Sequence, residues 1–233
     1  MSNTDRPATQ ERKTPDAFAE LRRRMVDEQL REHGISDPRL LDAMGKVPRE
    51  EFVPEDLRYA AYEDGPLPIG FGQTISQPFT VAWMCQALQL VGTEKVLEIG
   101  AGSGYSAAIL SLLAKSVFTV ERIPGLADTA RARLARLGYA NVQVITADGT
   151  LGLPAEAPFD AIVVTAGAEA LPDAYVRQLH TGGRIIIPIG GYRYDQTMYR
   201  FTRLPEELRV ENLGGFAFVP LIGKYGWHEP DVE

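Results

Sequence analysis

A buried strand that runs straight into three closely spaced glycines and then a helix constrains this chain more than any other feature. The run is Val96-Leu97-Glu98-Ile99, followed by Gly100-Ala101-Gly102-Ser103-Gly104-Tyr105. Glycine has no Cβ, so the backbone can approach a ligand closely, and a helix opening at such a turn presents unpaired N–H groups. Between a predicted strand and a predicted helix, this pattern reads as a nucleotide-cofactor turn. A tight structural turn is the plain alternative.

The pattern on either side agrees. Residues 78–91 carry Phe79, Val81, Ala82, Met84 and Leu88 at helical spacing. Short apolar strands are predicted over 95–99, 116–121, 141–146, 159–165 and 184–189. Helices are predicted between them over 104–114, 124–137 and 172–179. Strands alternating with helices of this length give βαβ units and a parallel sheet. Residues 197–204 and 208–218 instead alternate like an antiparallel strand pair, turning near Pro205. The expected fold is α/β, a doubly wound, seven-stranded, mostly parallel sheet with a C-terminal antiparallel pair. Its site should lie at the C-terminal ends of the parallel strands.

Glycine spacing separates cofactor classes. The dinucleotide fingerprint is G-x-G-x-x-G. Here the third glycine comes one residue earlier, and Glu98 precedes the first by two. That E-x-G-x-G-x-G form resembles motif I of the S-adenosylmethionine-dependent methyltransferases. The resemblance implies that Gly100, Ala101, Gly102, Ser103 and Gly104 hold the methionine part of S-adenosyl-L-methionine. Glu121 ends the second strand about 20 residues past the turn, where a carboxylate can accept both ribose hydroxyls. That position suits NAD equally, so an NAD-dependent oxidoreductase stands as the competing reading. Asp148, followed by Gly149, ends the third strand. It resembles the acid that hydrogen-bonds the adenine amino group in these methyltransferases, although Asp-Gly is also a common turn pair.

Upstream, residues 64–78 read Asp-Gly-Pro-Leu-Pro-Ile-Gly-Phe-Gly-Gln-Thr-Ile-Ser-Gln-Pro. They are too polar and glycine-rich for core, and predict a loop entering the helix at 78. Ser76 near that helix's start could be an N-cap. The run Gly72-Gln73-Thr74-Ile75-Ser76-Gln77-Pro78 also resembles the signature of the protein-L-isoaspartate (D-aspartate) O-methyltransferases. Val47-Pro48-Arg49-Glu50-Glu51-Phe52-Val53-Pro54 and the ending around Phe218–Trp227 resemble that family too. The likeness covers about residues 20–228. It implies methylation of L-isoaspartyl, and often D-aspartyl, carboxylates in damaged proteins and peptides. It also implies that Ser76 is the active-site serine and that Thr74 and Ile75 line a shared cofactor–substrate pocket. Trp227, in the matching tail, would help close the site.

Residues 1–16 are nearly free of apolar side chains and predict a disordered tail ahead of one methyltransferase domain, 17–233. Within it, 17–77 form a helical and loop segment and 78–233 the cofactor-binding core. Lys plus Arg number 24 against 31 Asp plus Glu, a net charge of −7. That disfavours nucleic acid, whose binding needs a cationic face. The only cysteine, Cys85, can form no internal disulfide and reads as a core thiol. No secretory signal and no apolar run of membrane-spanning length is found, so the expected place is the cytoplasm, away from membranes. No metal-ligating cluster is expected. His33, His180 and His228 are scattered, with no catalytic pattern.

Overall fold

Both faces of the central strands are apolar, and this dictates the architecture. In the computed structural model, which describes residues 18–228, alternate residues of each strand enter two different cores. Val96, Val117, Ala161, Val163 and Ile186 face one layer. Leu97, Ile99, Phe118, Val120, Ile162, Val164, Ile185 and Ile187 face the other. Strands covered on both faces need continuous apolar runs, which is why these segments do not alternate with polar residues. Each fully buried Leu, Ile or Val contributes about 1.5–3 kcal/mol.

The chain begins with helix α1, Ala19–Arg24, which passes into a π-helical stretch, Met25–Arg31. Helix α2 spans Pro38–Lys46. Asp37 caps it, its carboxylate accepting the N–H groups of Arg39 and Leu40 at 2.9 and 3.3 Å. Two 3-10 turns follow, Arg49–Phe52 and Glu55–Ala60. Strands β1, Leu67–Gly70, and β2, Gln73–Ile75, then form a small antiparallel hairpin. This corrects the expected loop over 64–78. Helix α3 follows, Pro78–Leu88.

The large sheet takes β3, Lys95–Ile99; β4, Ser116–Glu121; β5, Val142–Thr146; β6, Phe159–Val164; β7, Leu179–Gly190; β8, Gln196–Arg203; and β9, Leu208–Phe216. Helices α4, Tyr105–Ser111, α5, Pro124–Arg136, and α6, Asp173–Arg177, make three of the four connections among the first five, and two 3-10 turns, Gly149–Leu151 and Pro154–Glu156, join β5 to β6. The spatial order is β5-β4-β3-β6-β7-β8-β9. Strands β3 to β7 are parallel, while β8 and β9 join antiparallel at the far edge. This is the expected seven-stranded sheet. The predicted helix over 172–179 is shorter, because Leu179 already pairs with Phe159 as the start of β7. The expectation for residues 1–16 lies outside the described residues. Among the described residues, no helix is long and apolar enough to cross a membrane.

Chain order reverses between β3 and β6. From β3 the sheet grows to β4 and β5 on one side, and β6 then returns to the other. A crevice opens at such a switch point, beyond the C-terminal strand ends. The glycine turn, Glu121 and Thr165 all stand there.

Candidate active site

The turn after β3 is shaped by main-chain bonds to its neighbours. The N–H groups of Gly100 and Ala101 both donate to the Val120 carbonyl, at 2.8 and 3.3 Å. The Gly104 N–H donates to the Ala101 carbonyl at 2.8 Å. Gly100, Gly102 and Gly104 have φ of +97°, +52° and +90°, a region side chains with a Cβ disfavour. At Gly100 a Cβ would sit 2.3 Å from Thr165 Oγ1, and at Gly102 it would press on Ile69 Cδ1 at 3.3 Å. The turn therefore offers bare backbone to the cleft.

Glu121, at the end of β4, is held by two main-chain donors. Its Oε2 accepts the Gly102 N–H at 2.9 Å and its Oε1 accepts the Ile123 N–H at 3.0 Å. Opposite the turn, the hairpin brings Thr74, Ile75 and Ser76 to the same cleft. The N-cap of α3 is Gln77, without a side-chain bond, and Pro78 opens the helix. The capping role considered for Ser76 is thus not what this serine does here. Its carbonyl instead accepts from Arg49 Nη2 at 2.8 Å.

Of the residues expected at the site, Thr74, Ile75, Ser76, Gly100, Ala101, Gly102, Ser103, Glu121 and Gly149 line this one cleft. Three stand behind its walls. Gly104 packs under Leu134, whose Cδ1 would lie 3.2 Å from an added Cβ. Glu98 is fully buried on the α4 side of the sheet, its Oε2 accepting the Thr119 hydroxyl at 2.5 Å. Burial pushes its carboxyl up to about 7, against the opposing bond from Thr119. Asp148 holds the C-terminal segment. It accepts the Lys224 N–H at 2.8 Å and the Thr150 N–H and hydroxyl at 2.9 and 2.7 Å.

The sequence marked this segment only through its family-like ending and Trp227, not through the residues that form the wall. Val219, Pro220, Leu221 and Ile222 line the cleft, as do Arg122 and Thr165. Main-chain bonds place it: the Gly167 N–H donates to the Val219 carbonyl and the Leu221 N–H to the Gly167 carbonyl, both at 2.8 Å. Trp227 secures its end, donating from Nε1 to the Gly167 carbonyl at 3.1 Å and meeting Tyr192 edge-on. Arg122 and Thr165 each directly follow a strand end, the one signal in the sequence that could have marked them. Cys85 is buried, as expected for a core thiol, and burial raises its pKa well above the ordinary range. His33, His180 and His228 are exposed and outside the cleft.

A motif-rich cleft at the switch point of such a sheet has clear counterparts among known proteins. A relative from Syntrophus aciditrophicus, called protein-L-isoaspartate O-methyltransferase, is 54% identical over 215 residues, 91% of this chain and 98% of its own. One of the same name from Geobacter metallireducens is 55% identical, covering 88% and 95%. A solved structure named protein-L-isoaspartate O-methyltransferase superposes with a TM-score of 0.78 at 32% identity, covering 88% of this chain and 67% of that one. A Plasmodium falciparum structure described as a candidate enzyme of this kind holds S-adenosyl-L-homocysteine. It matches at a TM-score of 0.75 and 25% identity, over 86% of this chain and 98% of its own. The family model for protein-L-isoaspartate(D-aspartate) O-methyltransferases matches residues 21–226, from α1 to the C-terminal segment that lines the cleft, and the chain belongs to that family.

Proposed function

We propose that this cleft transfers a methyl group from S-adenosyl-L-methionine to the free carboxylate of L-isoaspartyl residues, and of D-aspartyl residues, in damaged proteins and peptides. The observation that carries this is the meeting of Thr74, Ile75 and Ser76 with the glycine turn in one cleft, within a chain of this family. NAD chemistry, the competing reading of the turn, has no support from the family.

The residues present fit the methyl donor. Gly100 and Gly102 leave no side chain between backbone and cleft, and Glu121 stands at the end of β4 where it can accept ribose hydroxyls. When bound, S-adenosyl-L-methionine supplies a methyl group carried on a sulfonium, a good leaving group. The acceptor is already an anion at neutral pH, since ordinary carboxyls ionise near 4. No strong base is needed, so the protein's part is alignment and exclusion of water. Ser76 donates a hydrogen bond to the incoming carboxylate and orients it, rather than acting as a nucleophile. Gly149 and Asp148 stand beside the adenine end in this reading. The C-terminal segment, tied down by Trp227, closes the cleft. Methyl esters of isoaspartyl residues close spontaneously to succinimides, which reopen partly as normal aspartyl residues, and the reaction thereby serves repair.

We infer a cytoplasmic enzyme whose partners are proteins and peptides rather than nucleic acid or membranes. The net charge of −7 supports the first exclusion. Ser76→Ala tests the assignment of the serine. Losing one oriented hydrogen bond to a charged group should lower turnover roughly 10–100-fold, at about 1.5–3 kcal/mol. Binding of S-adenosyl-L-homocysteine, followed by calorimetry, should change little. Unchanged turnover would remove Ser76 from the mechanism.

A further inference from the structure

One charged side chain is sealed inside the fold beside the cleft. Arg49 is 0% exposed. A buried cation ordinarily has a carboxylate partner. Among the described residues, Arg49 has none: its Nε donates to the Ala61 carbonyl at 2.7 Å and its Nη2 to the Ser76 carbonyl at 2.8 Å. Nη1 has no hydrogen-bond partner. The guanidinium lies over the ring of Tyr105, 4.8 Å from its centroid. Tyr105 is the first residue of α4, directly after the glycine turn, and lines the cleft.

The nearest carboxylate in sequence is committed elsewhere. Glu50 accepts from Arg22 Nη2 at 2.9 Å and from the Tyr62 hydroxyl. The same Tyr62 oxygen accepts the Arg49 main-chain N–H at 3.2 Å, which fixes where the arginine's backbone sits. The cation is thus anchored by its own backbone, touches the serine loop through a hydrogen bond, and touches the cofactor helix through a ring face. It also carries an uncompensated positive charge beside a cleft proposed to receive an anion.

We propose that Arg49 is a positioning residue for methyl transfer, holding the Ser76 main chain in place against the glycine turn and favouring an anionic acceptor. This rests on the proposed function, because the favoured anion is the acceptor carboxylate. A buried cation not neutralised by a carboxylate is attractive to an anion at short range, where screening by solvent is weak. A lysine keeps the charge but not the two-pronged reach to the Ala61 and Ser76 carbonyls. A methionine keeps much of the bulk and loses both.

The experiment uses the full-length chain as wild type, Arg49→Lys and Arg49→Met. Each is tested for methyl transfer to an isoaspartyl peptide, for binding of S-adenosyl-L-homocysteine, and for inhibition by two unreactive peptides differing only in a carboxylate or a neutral carboxamide. Arg49→Met should lower kcat/KM by roughly 10–100-fold, the range for a lost charge-assisted contact, with Arg49→Lys in between. Cofactor affinity should move less than about threefold, less than the loss of a single ordinary hydrogen bond. The preference for the carboxylate inhibitor should shrink in Arg49→Met and persist in Arg49→Lys. A merely structural arginine would lower stability without changing that preference. Should Arg49→Met fail to fold, the Arg49→Lys comparison decides: wild-type kcat/KM in that variant overturns the proposal. An inhibitor preference unchanged in Arg49→Met also overturns it. Wild-type activity on the isoaspartyl peptide is the separate control, and its absence would count against the proposed function instead.

Discussion

Adding a single methyl group at Gly100 should damage this protein out of proportion to its size. Gly100 has φ of +97°, and left-handed backbone costs a residue with a Cβ about 1–2 kcal/mol. The new Cβ would stand 2.3 Å from Thr165 Oγ1, so the threonine side chain must turn away. That hydroxyl lies 3.0 Å from the Ile99 carbonyl and 2.8 Å from the Gly100 carbonyl. Both carbonyls lose the hydroxyl, but the Ile99 carbonyl keeps the Thr165 N–H at 2.9 Å, so the loss falls mainly on the Gly100 carbonyl. The lost bond costs about 0.5–1.5 kcal/mol, and an off-rotamer threonine a similar amount. Gly100→Ala should therefore destabilise by about 2–5 kcal/mol, lowering Tm by roughly 5–15 °C in a chain of this length. Urea unfolding followed by circular dichroism measures the free energy, and calorimetry the affinity for S-adenosyl-L-homocysteine, which should fall as well. In a Thr165→Ala background the clash is gone and only the backbone strain remains, so the same change should cost about 1–2 kcal/mol. A Gly100→Ala protein as stable as wild type would refute the reasoning. So would an equal cost in both backgrounds.

Two further perturbations follow from the same geometry. Burial pushes the Glu98 carboxyl from an ordinary 4.5 up to about 7, although the bond from Thr119 opposes it. Between those values the unfolded chain has released this proton and the folded chain still holds it. The contribution of Glu98 to stability therefore falls as pH rises from 4.5 to 7 and is level above, a total of about 3 kcal/mol at 1.36 kcal/mol per pKa unit. Glu98→Gln should gain on wild type across that window in urea melts, and parallel pH profiles would contradict the assignment. At Asp148, burial raises the carboxyl's pKa but is outweighed by bonds from the Lys224 N–H and from Thr150, which leave it below the ordinary range. Asp148→Ala should loosen the segment around Lys224 and speed tryptic cleavage there, read by mass spectrometry. Cleavage at the wild-type rate would mean that the carboxylate does not hold the segment.

Much of this was legible in the sequence because it depends on local pattern. Apolar runs covered on both faces, such as residues 161–164 and 185–187, announce a parallel sheet wherever they alternate with helices. Gly100, Gly102 and Gly104 likewise marked a turn whose backbone lies bare to a ligand, although the sign of φ there is seen only in the fold. The hairpin of β1 and β2 was not legible. Its strands have four and three residues, one with Pro68 inside, too short for any period to register. The π-helical register over Met25–Arg31 leaves no compositional trace either, since the same side chains would suit an α-helix. The wall formed by Val219 to Ile222 depends on contacts with Gly167, more than fifty residues away in the chain, which spacing alone cannot express. Arg49 was visible only as part of a motif. Its burial, and the commitment of Glu50 to Arg22, exist only once the segment is folded.

The most direct test is methyl transfer from labelled S-adenosyl-L-methionine to one peptide prepared in two forms, with an isoaspartyl or a normal aspartyl residue at the same position. Label on the isoaspartyl form alone, released again by mild base as methanol, is the predicted result. Equal labelling of both forms, or none on either while S-adenosyl-L-homocysteine binds, would contradict the account of what this cleft accepts.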